Sequence, residues 1–192
     1  MSALDWIMLF AIGAIWLILM VNVILVVAGY FEYMKMTQQP EPSLPPTPPM
    51  VSVMVPAHNE GVVIVKTVES LLRFDYPQDR YEIIVINDNS SDNSAALLRD
   101  LQHRYPDRQL HVINTDAVTG GKGKSNALNI GLTKAQGSVL AIYDADNTPE
   151  FGALRILVSE LMADDGLGAV IGKFRTRNKQ ATWLTRFINI ET

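Results

Sequence analysis

Ser138-Val139-Leu140-Ala141-Ile142-Tyr143-Asp144-Ala145-Asp146-Asn147 opens with a short, mainly apolar run bounded by Gly137 before it and by an Asp/Asn/Pro cluster after it. Such a run reads as a buried strand. Two carboxylates stand two residues apart at its C-terminal end. In extended geometry residues i and i+2 point to the same side, so Asp144 and Asp146 are expected to converge on one point. Neighbouring carboxylates repel, and each is costly to bury without a partner. A divalent cation with a diphosphate beyond it relieves that cost, because Mg²⁺ is typically held by one or two carboxylates plus phosphate oxygens and waters. A polar turn capping the next helix through Asn147 or Thr148 is the other reading of the same residues.

Upstream of this stretch, from Met50 onward, strand and helix patterns alternate. Val51–Val55, Tyr81–Ile86 and Leu110–Ile113 read as strands that precede the one at Ser138–Tyr143. Helical spacing of apolar residues marks Gly61–Arg73, Ser94–Tyr105 (with Asp92 or Asn93 as cap), Lys124–Ala135 and Glu150–Ala163. A further strand is expected near Leu167–Phe174 and an amphipathic helix from Ala181 onward. Repeated β-α units with near-continuous apolar strands predict an α/β fold, a mostly parallel sheet with helices on both faces. Ligands of such sheets bind beyond the C-terminal strand ends.

Polar residues gather there. Pro56-Ala57-His58-Asn59-Glu60 follows the first strand and Asn87-Asp88-Asn89-Ser90-Ser91-Asp92 the second. Asn114 to Asn126, with its run Gly120-Gly121-Lys122-Gly123-Lys124-Ser125, follows the third, and the Asp144/Asp146 pair follows the fourth. Any one cluster fits a loop with a helix cap. Together they read as one acidic, hydrogen-bonding crevice with a glycine-lysine loop on its wall. Gly123-Lys124-Ser125 also suggests a nucleotide-triphosphate P-loop, but that pattern needs glycine where Val118 stands and a place after the first strand. Lys122 or Lys124 as a point charge near a phosphate is the simpler use.

The front of the chain differs. Trp6–Phe31 is almost wholly apolar and uncharged. At 1.5 Å per residue it spans roughly 39 Å, more than the ~30 Å hydrocarbon core of a bilayer. It reads as a transmembrane helix within residues 1–36, with Trp6, Tyr30, Phe31 and Tyr33 as interfacial anchors. A cleaved signal peptide fits less well, because no Lys or Arg precedes the run. Lys35 follows the helix and Asp5 precedes it, which places the rest on the cytoplasmic side of the cell membrane. Residues 37–49 hold six prolines between Pro40 and Pro49, predicting an extended spacer of up to ~30 Å. The net charge of −4 comes with no basic domain and so with no case for nucleic acid. With no cysteine, disulfides and thiolate chemistry are excluded.

With these pieces in place, residues 50–192 resemble the family 2 glycosyltransferases of GT-A fold. The likeness is to the membrane-anchored, processive-type branch of hyaluronan, poly-N-acetylglucosamine and cellulose synthases. It rests on Val55-Pro56-Ala57-His58-Asn59-Glu60, Val85-Ile86-Asn87-Asp88-Asn89-Ser90-Ser91-Asp92, Gly121-Lys122-Gly123-Lys124-Ser125-Asn126-Ala127-Leu128-Asn129, Asp144-Ala145-Asp146 and Gly168–Arg175, in this order. The resemblance implies a UDP-sugar donor, a glycan or lipid-linked acceptor and an inverting transfer. Pro56, Ala57, His58 and Glu60 would line the base and ribose, and Asp88 would bond the uracil or ribose. Lys124 would approach the donor, Asp144 would contact sugar or diphosphate, and Asp146, with Asp144, would hold Mg²⁺ or Mn²⁺. Asn87 stands where many relatives have a second Asp, which implies one carboxylate fewer around the uridine.

The family's general base lies in a Glu-Asp or Thr-Glu-Asp motif, which the resemblance places beyond Thr192. The expectation is therefore a donor half without the acceptor half, with no catalytic base in the chain. A non-catalytic nucleotide-sugar-binding module stays open beside the enzyme reading. Lys173, Arg175, Arg177 and Lys179 alternate, so an extended segment would turn all four to one side as a basic edge. His103 and His111 read as surface or packing residues.

Overall fold

The computed structural model describes residues 2–38 and 43–172. They fall into two compact units divided between Glu41 and Pro42. The first is one helix, α1 (Ala3–Gln38), which encloses the expected apolar span. It is long and apolar enough to cross a membrane, and its apolar side chains are exposed along its length, Trp6, Phe10, Trp16 and Phe31 among them. A helix apolar on every side has no water-facing stripe of its own. Within the apolar span, Asn22 donates from Nδ2 to the Ile18 carbonyl at 2.8 Å and so satisfies itself within the helix.

The second unit runs β1 (Val51–Ala57), α2 (Ile64–Leu71), β2 (Tyr81–Asn87), α3 (Ser94–Arg104), β3 (Leu110–Asn114), α4 (Lys124–Leu132), β4 (Val139–Ile142) and α5 (Ala153–Ala163). All strand pairs are parallel, in the order β3-β2-β1-β4. The chain therefore steps outward from β1 through β2 to β3 and then returns across the sheet to place β4 on the other side of β1. That reversal is a topological switch point, where crevices open in sheets of this type.

Alternation along the strands builds two cores. Val51, Val53 and Val55 of β1 and Ile83 and Val85 of β2 pack with Ile64, Val68 and Leu71 of α2, Leu98 and Leu101 of α3, and Leu154 and Val158 of α5. On the opposite face Met54, Ile84 and Ile86 meet Ala127 of α4. Each fully buried aliphatic side chain contributes about 1.5–3 kcal/mol. Gly131 keeps α4 close, because a Cβ there would lie 2.8 Å from Ile86 Cδ1. On the α4 side lies a polar knot that nothing in the local pattern announces. Glu82, completely buried, accepts from Ser52 Oγ at 2.6 Å and from the Gln136 N–H at 2.7 Å, and His111 Nε2 lies 3.4 Å from its second oxygen. Ser52 Oγ accepts from the Gly137 N–H at 2.8 Å, tying the start of β4 to β1. His111 is thus the partner of a buried carboxylate rather than a bystander.

Three expectations change. The strand near Leu167–Phe174 is not formed over residues 167–172. Its remainder, the helix from Ala181, the basic alternation at 173–179 and the end of the Gly168–Arg175 motif lie outside the described residues. The 37–49 segment is not a free spacer throughout: α1 continues to Gln38, Leu44 packs against the core, and the Pro49 carbonyl accepts from Tyr76 Oη at 2.7 Å. Proline forbids helix there but not docking against a surface. Finally, β4 ends at Ile142, so Asp144 and Asp146 sit in a turn closed by the Asn147 N–H on the Asp144 carbonyl at 3.1 Å.

Candidate nucleotide-sugar site

At the switch point, beyond the C-terminal ends of β1, β2 and β4, a cavity of about 510 Å³ opens. Pro56, Ala57, His58, Glu60, Asp88, Lys124, Asp144 and Asp146 all line it, and so do Gly121, Gly123, Ala127 and Ala145. The structure thus brings together the eight residues singled out in the sequence, from four separate segments of the chain.

The first two loops are laced to each other. Asn59 adopts φ 56° and Asn89 φ 51°, left-handed values that Asn tolerates better than most residues. From that conformation Asn59 donates its N–H to Ser90 Oγ at 2.9 Å and accepts the Ser91 N–H on Oδ1 at 2.8 Å. Asp92 accepts the Gly61 N–H on one oxygen and the Ser94 N–H on the other. These bonds, Ser94 first and then Gly61, hold the Asp92 carboxyl below its usual range. Ser90 and Asp92 therefore support the loops, as ordinary turn residues do. His58 Nδ1 lies 2.6 Å from the Asp88 carbonyl. A carbonyl only accepts, so Nδ1 carries the proton, and in the neutral ring Nε2 accepts from Asn59 Nδ2 at 3.1 Å.

Asp88, 6 % exposed, latches the glycine loop. Its Oδ1 accepts from Thr115 Oγ1 and from the Gly121 N–H, both at 2.9 Å. The close approach excludes a side chain at residue 120: a Cβ on Gly120 would lie 1.9 Å from Thr115 Oγ1 and 2.3 Å from Asp88 Oδ1. Thr115, which supports Asp88, is not marked by the sequence, because only the fold sets it against that carboxylate. Asp116 closes the loop's other end by accepting the Thr119 and Val118 N–H groups, which lower its pKa, Thr119 first. Gly123, at φ 93°, then ends the loop and starts α4, whose first turn has no side-chain cap.

Asn87 is placed differently from the expectation. Its side chain is not among the cavity-lining residues; Nδ2 donates to Asn114 Oδ1 at 2.8 Å across the β2–β3 pair. The side chain at residue 87 therefore faces a neighbouring strand, not the crevice. Alternation along β2 separates Asn87 from Asp88.

The acidic pair follows the same logic. Tyr143 and Ala145 turn inward: the Tyr143 ring packs on Phe74 at 5.6 Å, and burial pushes its phenol up to about 12. Ala145 is 4 % exposed. Asp144 and Asp146 face the cavity. Lys124 Nζ makes an ion pair with Asp144 Oδ1, both side chains being about half exposed. The helix-cap reading of this stretch does not hold, because α5 begins only at Ala153 after Gly152, without a side-chain cap. Among the described residues no group of three His, Cys, Asp or Glu side chains gathers to hold a metal. Two carboxylates facing an open cavity still fit a hard divalent cation whose other ligands are diphosphate oxygens and water.

An open parallel α/β sheet, a crevice at its switch point and an acidic pair facing a glycine-lysine loop are the arrangement in which sheets of this type bind their ligands. The family model described as "Glycosyl transferase family 2" matches residues 52–190, and the chain belongs to that family. It is 43 % identical over 188 residues to the probable glycosyltransferase YdaM of Bacillus subtilis, covering 95 % of this chain and 43 % of that protein. It is 38 % identical over 138 residues to a beta-monoglucosyldiacylglycerol synthase of Synechocystis, covering 72 % of this chain and 28 % of the relative. The chain thus spans less than half the length of either. Among solved structures, the mannosyltransferase PcManGT of Pyrobaculum calidifontis, in complex with GDP-Man and Mn²⁺, aligns with a TM-score of 0.62 at 30 % identity, over 74 % of this chain and 41 % of that one. Family membership also removes the P-loop alternative: the Gly-Lys loop follows the outer strand β3, and its lysine is paired with Asp144.

Proposed function

We propose that this chain forms the donor-binding part of a membrane-anchored glycosyltransferase that moves a sugar from a UDP-sugar to a hydroxyl of a glycan or lipid-linked acceptor. The observation that carries this reading is the convergence of eight residues from four segments of the chain on one cavity at the switch point. Pro56, Ala57, His58 and Glu60 form the wall for base and ribose, with Asp88 on the same wall as hydrogen-bond acceptor. Lys124 and the uncapped first turn of α4 face the diphosphate, since N-terminal N–H groups and a lysine both favour phosphate oxygens. Asp144 and Asp146 would hold Mg²⁺ or Mn²⁺, which would supply positive charge beside the diphosphate leaving group.

The acceptor hydroxyl oxygen bonds to the anomeric carbon while its proton passes to a general-base carboxylate, and the bond from that carbon to the diphosphate oxygen breaks. The nucleoside diphosphate leaves, and an α-linked donor gives a β-linked product. Membrane anchoring is supported by α1, and an acceptor at the membrane follows from it. The mannosyltransferase structure holds a guanosine donor, so the base requires a direct test.

Isothermal titration of the full chain with UDP- and GDP-sugars, with and without Mn²⁺, provides it. UDP-sugar is expected to bind more tightly with Mn²⁺, and Asp146→Ala is expected to abolish the metal effect. Equal binding with and without metal, unchanged in the variant, refutes the site assignment. Tighter binding of the GDP-sugar refutes the uridine assignment alone.

A further inference from the structure

A second cavity of about 730 Å³ lies apart from the donor crevice. Leu44, Leu72, Phe74, Tyr76 and Phe151 line it, together with Arg73, Arg108 and Arg155. We propose that this cavity binds the phosphate of an anionic membrane-lipid headgroup. The inference rests on the membrane-anchored reading of α1 but not on the chemistry of the donor site.

Charge is the first observation. Three arginines share the cavity with one carboxylate, Asp75. Asp75 is paired with Arg155 at 2.9 Å, and Arg108 stacks 5.3 Å above the Tyr81 ring while donating to its hydroxyl. Arg73 is exposed, and among the described residues its guanidinium has neither a hydrogen bond nor an ion pair. Two positive charges are thus in excess, on the side chain best shaped for a phosphate.

The second observation is the apolar and aromatic lining. Phe74 and Tyr76 both pack against Tyr81, and burial raises the Tyr76 phenol to about 12, so it stays a neutral donor to Pro49. Phe151 is 66 % exposed at the cavity side. A cationic rim beside exposed aromatic surface suits the boundary between headgroups and acyl chains.

The tether is the third. Leu44, which lines the cavity, follows the last residue of α1, Gln38, by six residues. Six residues reach at most about 21 Å. A tether that short confines the cavity to the vicinity of the membrane surface, where headgroups have a high effective concentration.

The test titrates the detergent-solubilised full chain with dioctanoyl phosphatidylglycerol, dioctanoyl phosphatidylcholine and glycerol 1-phosphate, followed by native mass spectrometry. Phosphatidylglycerol is expected to bind saturably and about tenfold more tightly than phosphatidylcholine, and Arg73→Glu and Arg73→Gln are expected to weaken it by about tenfold and threefold. Equal binding of the two lipids, or affinity unchanged in the Arg73 variants, overturns the proposal. Glycerol 1-phosphate binding as tightly as phosphatidylglycerol also overturns it, by assigning the site to a soluble phosphoester. Nucleotide binding retained in the Arg73 variants shows that they are folded. Co-flotation of the full chain with phosphatidylcholine vesicles tests the anchoring separately; its absence removes the tether and overturns both readings.

Discussion

Asp88 is predicted to act twice, as a wall of the donor crevice and as the latch of the glycine loop, and two substitutions separate these roles. Its Oδ1 accepts from a hydroxyl and an N–H, both at 2.9 Å, at a side chain that is almost fully buried. Asp88→Ala removes the acceptor and leaves Thr115 Oγ1 and the Gly121 N–H without it. Thr115 is half-buried and Gly121 exposed, so water replaces part of what is lost, and the expected cost is about 2 kcal/mol. For a domain of this size that corresponds to a fall in Tm of roughly 4–8 °C. Asp88→Asn keeps an oxygen that accepts both bonds and loses only the charge assistance. It is expected to cost about 1 kcal/mol, or roughly 2–4 °C. Thermal melts by circular dichroism of the full chain in one detergent measure both. Titration with UDP-sugar and Mn²⁺ in the same samples should show weakened binding in each variant. Equal melting temperatures for the two variants, or an unchanged one for Asp88→Ala, refute the latch.

Three further outcomes are expected. Gly137→Ala places a Cβ 2.5 Å from the Ser52 nitrogen and 2.8 Å from the Met50 carbonyl oxygen; backbone cannot step aside, so a loss of about 3 kcal/mol or more should appear as a lowered Tm in thermal melts. Ser52→Ala leaves Glu82 and the Gly137 N–H each short of one partner and should cost about 2–3 kcal/mol, with nucleotide affinity unchanged at temperatures where the chain is folded. Asp92 and Asp116 have folded pKa values below those of the unfolded chain. Their contribution is therefore fully present above about pH 4 and is lost as pH falls through the lowered folded values. Melts from pH 6 down to pH 2 should show a shallower acid loss in Asp92→Asn than in the parent chain.

Much of the molecule was legible in its sequence because the signals are local. A strand buried on both faces needs apolar residues throughout, so Val51–Val55 and Tyr81–Ile86 stand out. A helix with nowhere polar to face, α1, announces itself by composition. Clusters of Asp, Asn and Gly at strand ends mark loops, and the parallel sheet gathers those loops at one edge. The failures have equally physical causes. The boundaries of β4 and the turn at Asp144 depend on where pairing with β1 stops, and that pairing partner lies nearly ninety residues away in sequence. Glu82 gave no sign of its role, because one glutamate in an apolar strand shows neither its burial nor its partners Ser52, Gln136 and His111. Asn87 looked like a missing ligand, since adjacency in sequence does not say which face of the sheet each neighbour takes.

The residues alone determined the class of fold, the family likeness and which side chains line the switch-point cavity, because these follow from strand alternation, motif spacing and loop chemistry. Tertiary structure decided what those residues touch. The return of β4 to the far side of β1 makes the crevice and sets Asp144 against Lys124. The approach of Gly120 and Gly121 to Asp88 turns an expected ligand residue into a latch as well. The docking of Leu44 and Pro49 beside Tyr76 converts a presumed spacer into one wall of an arginine-lined cavity. In each case the partners are distant in sequence, and only the packed fold supplies the contact.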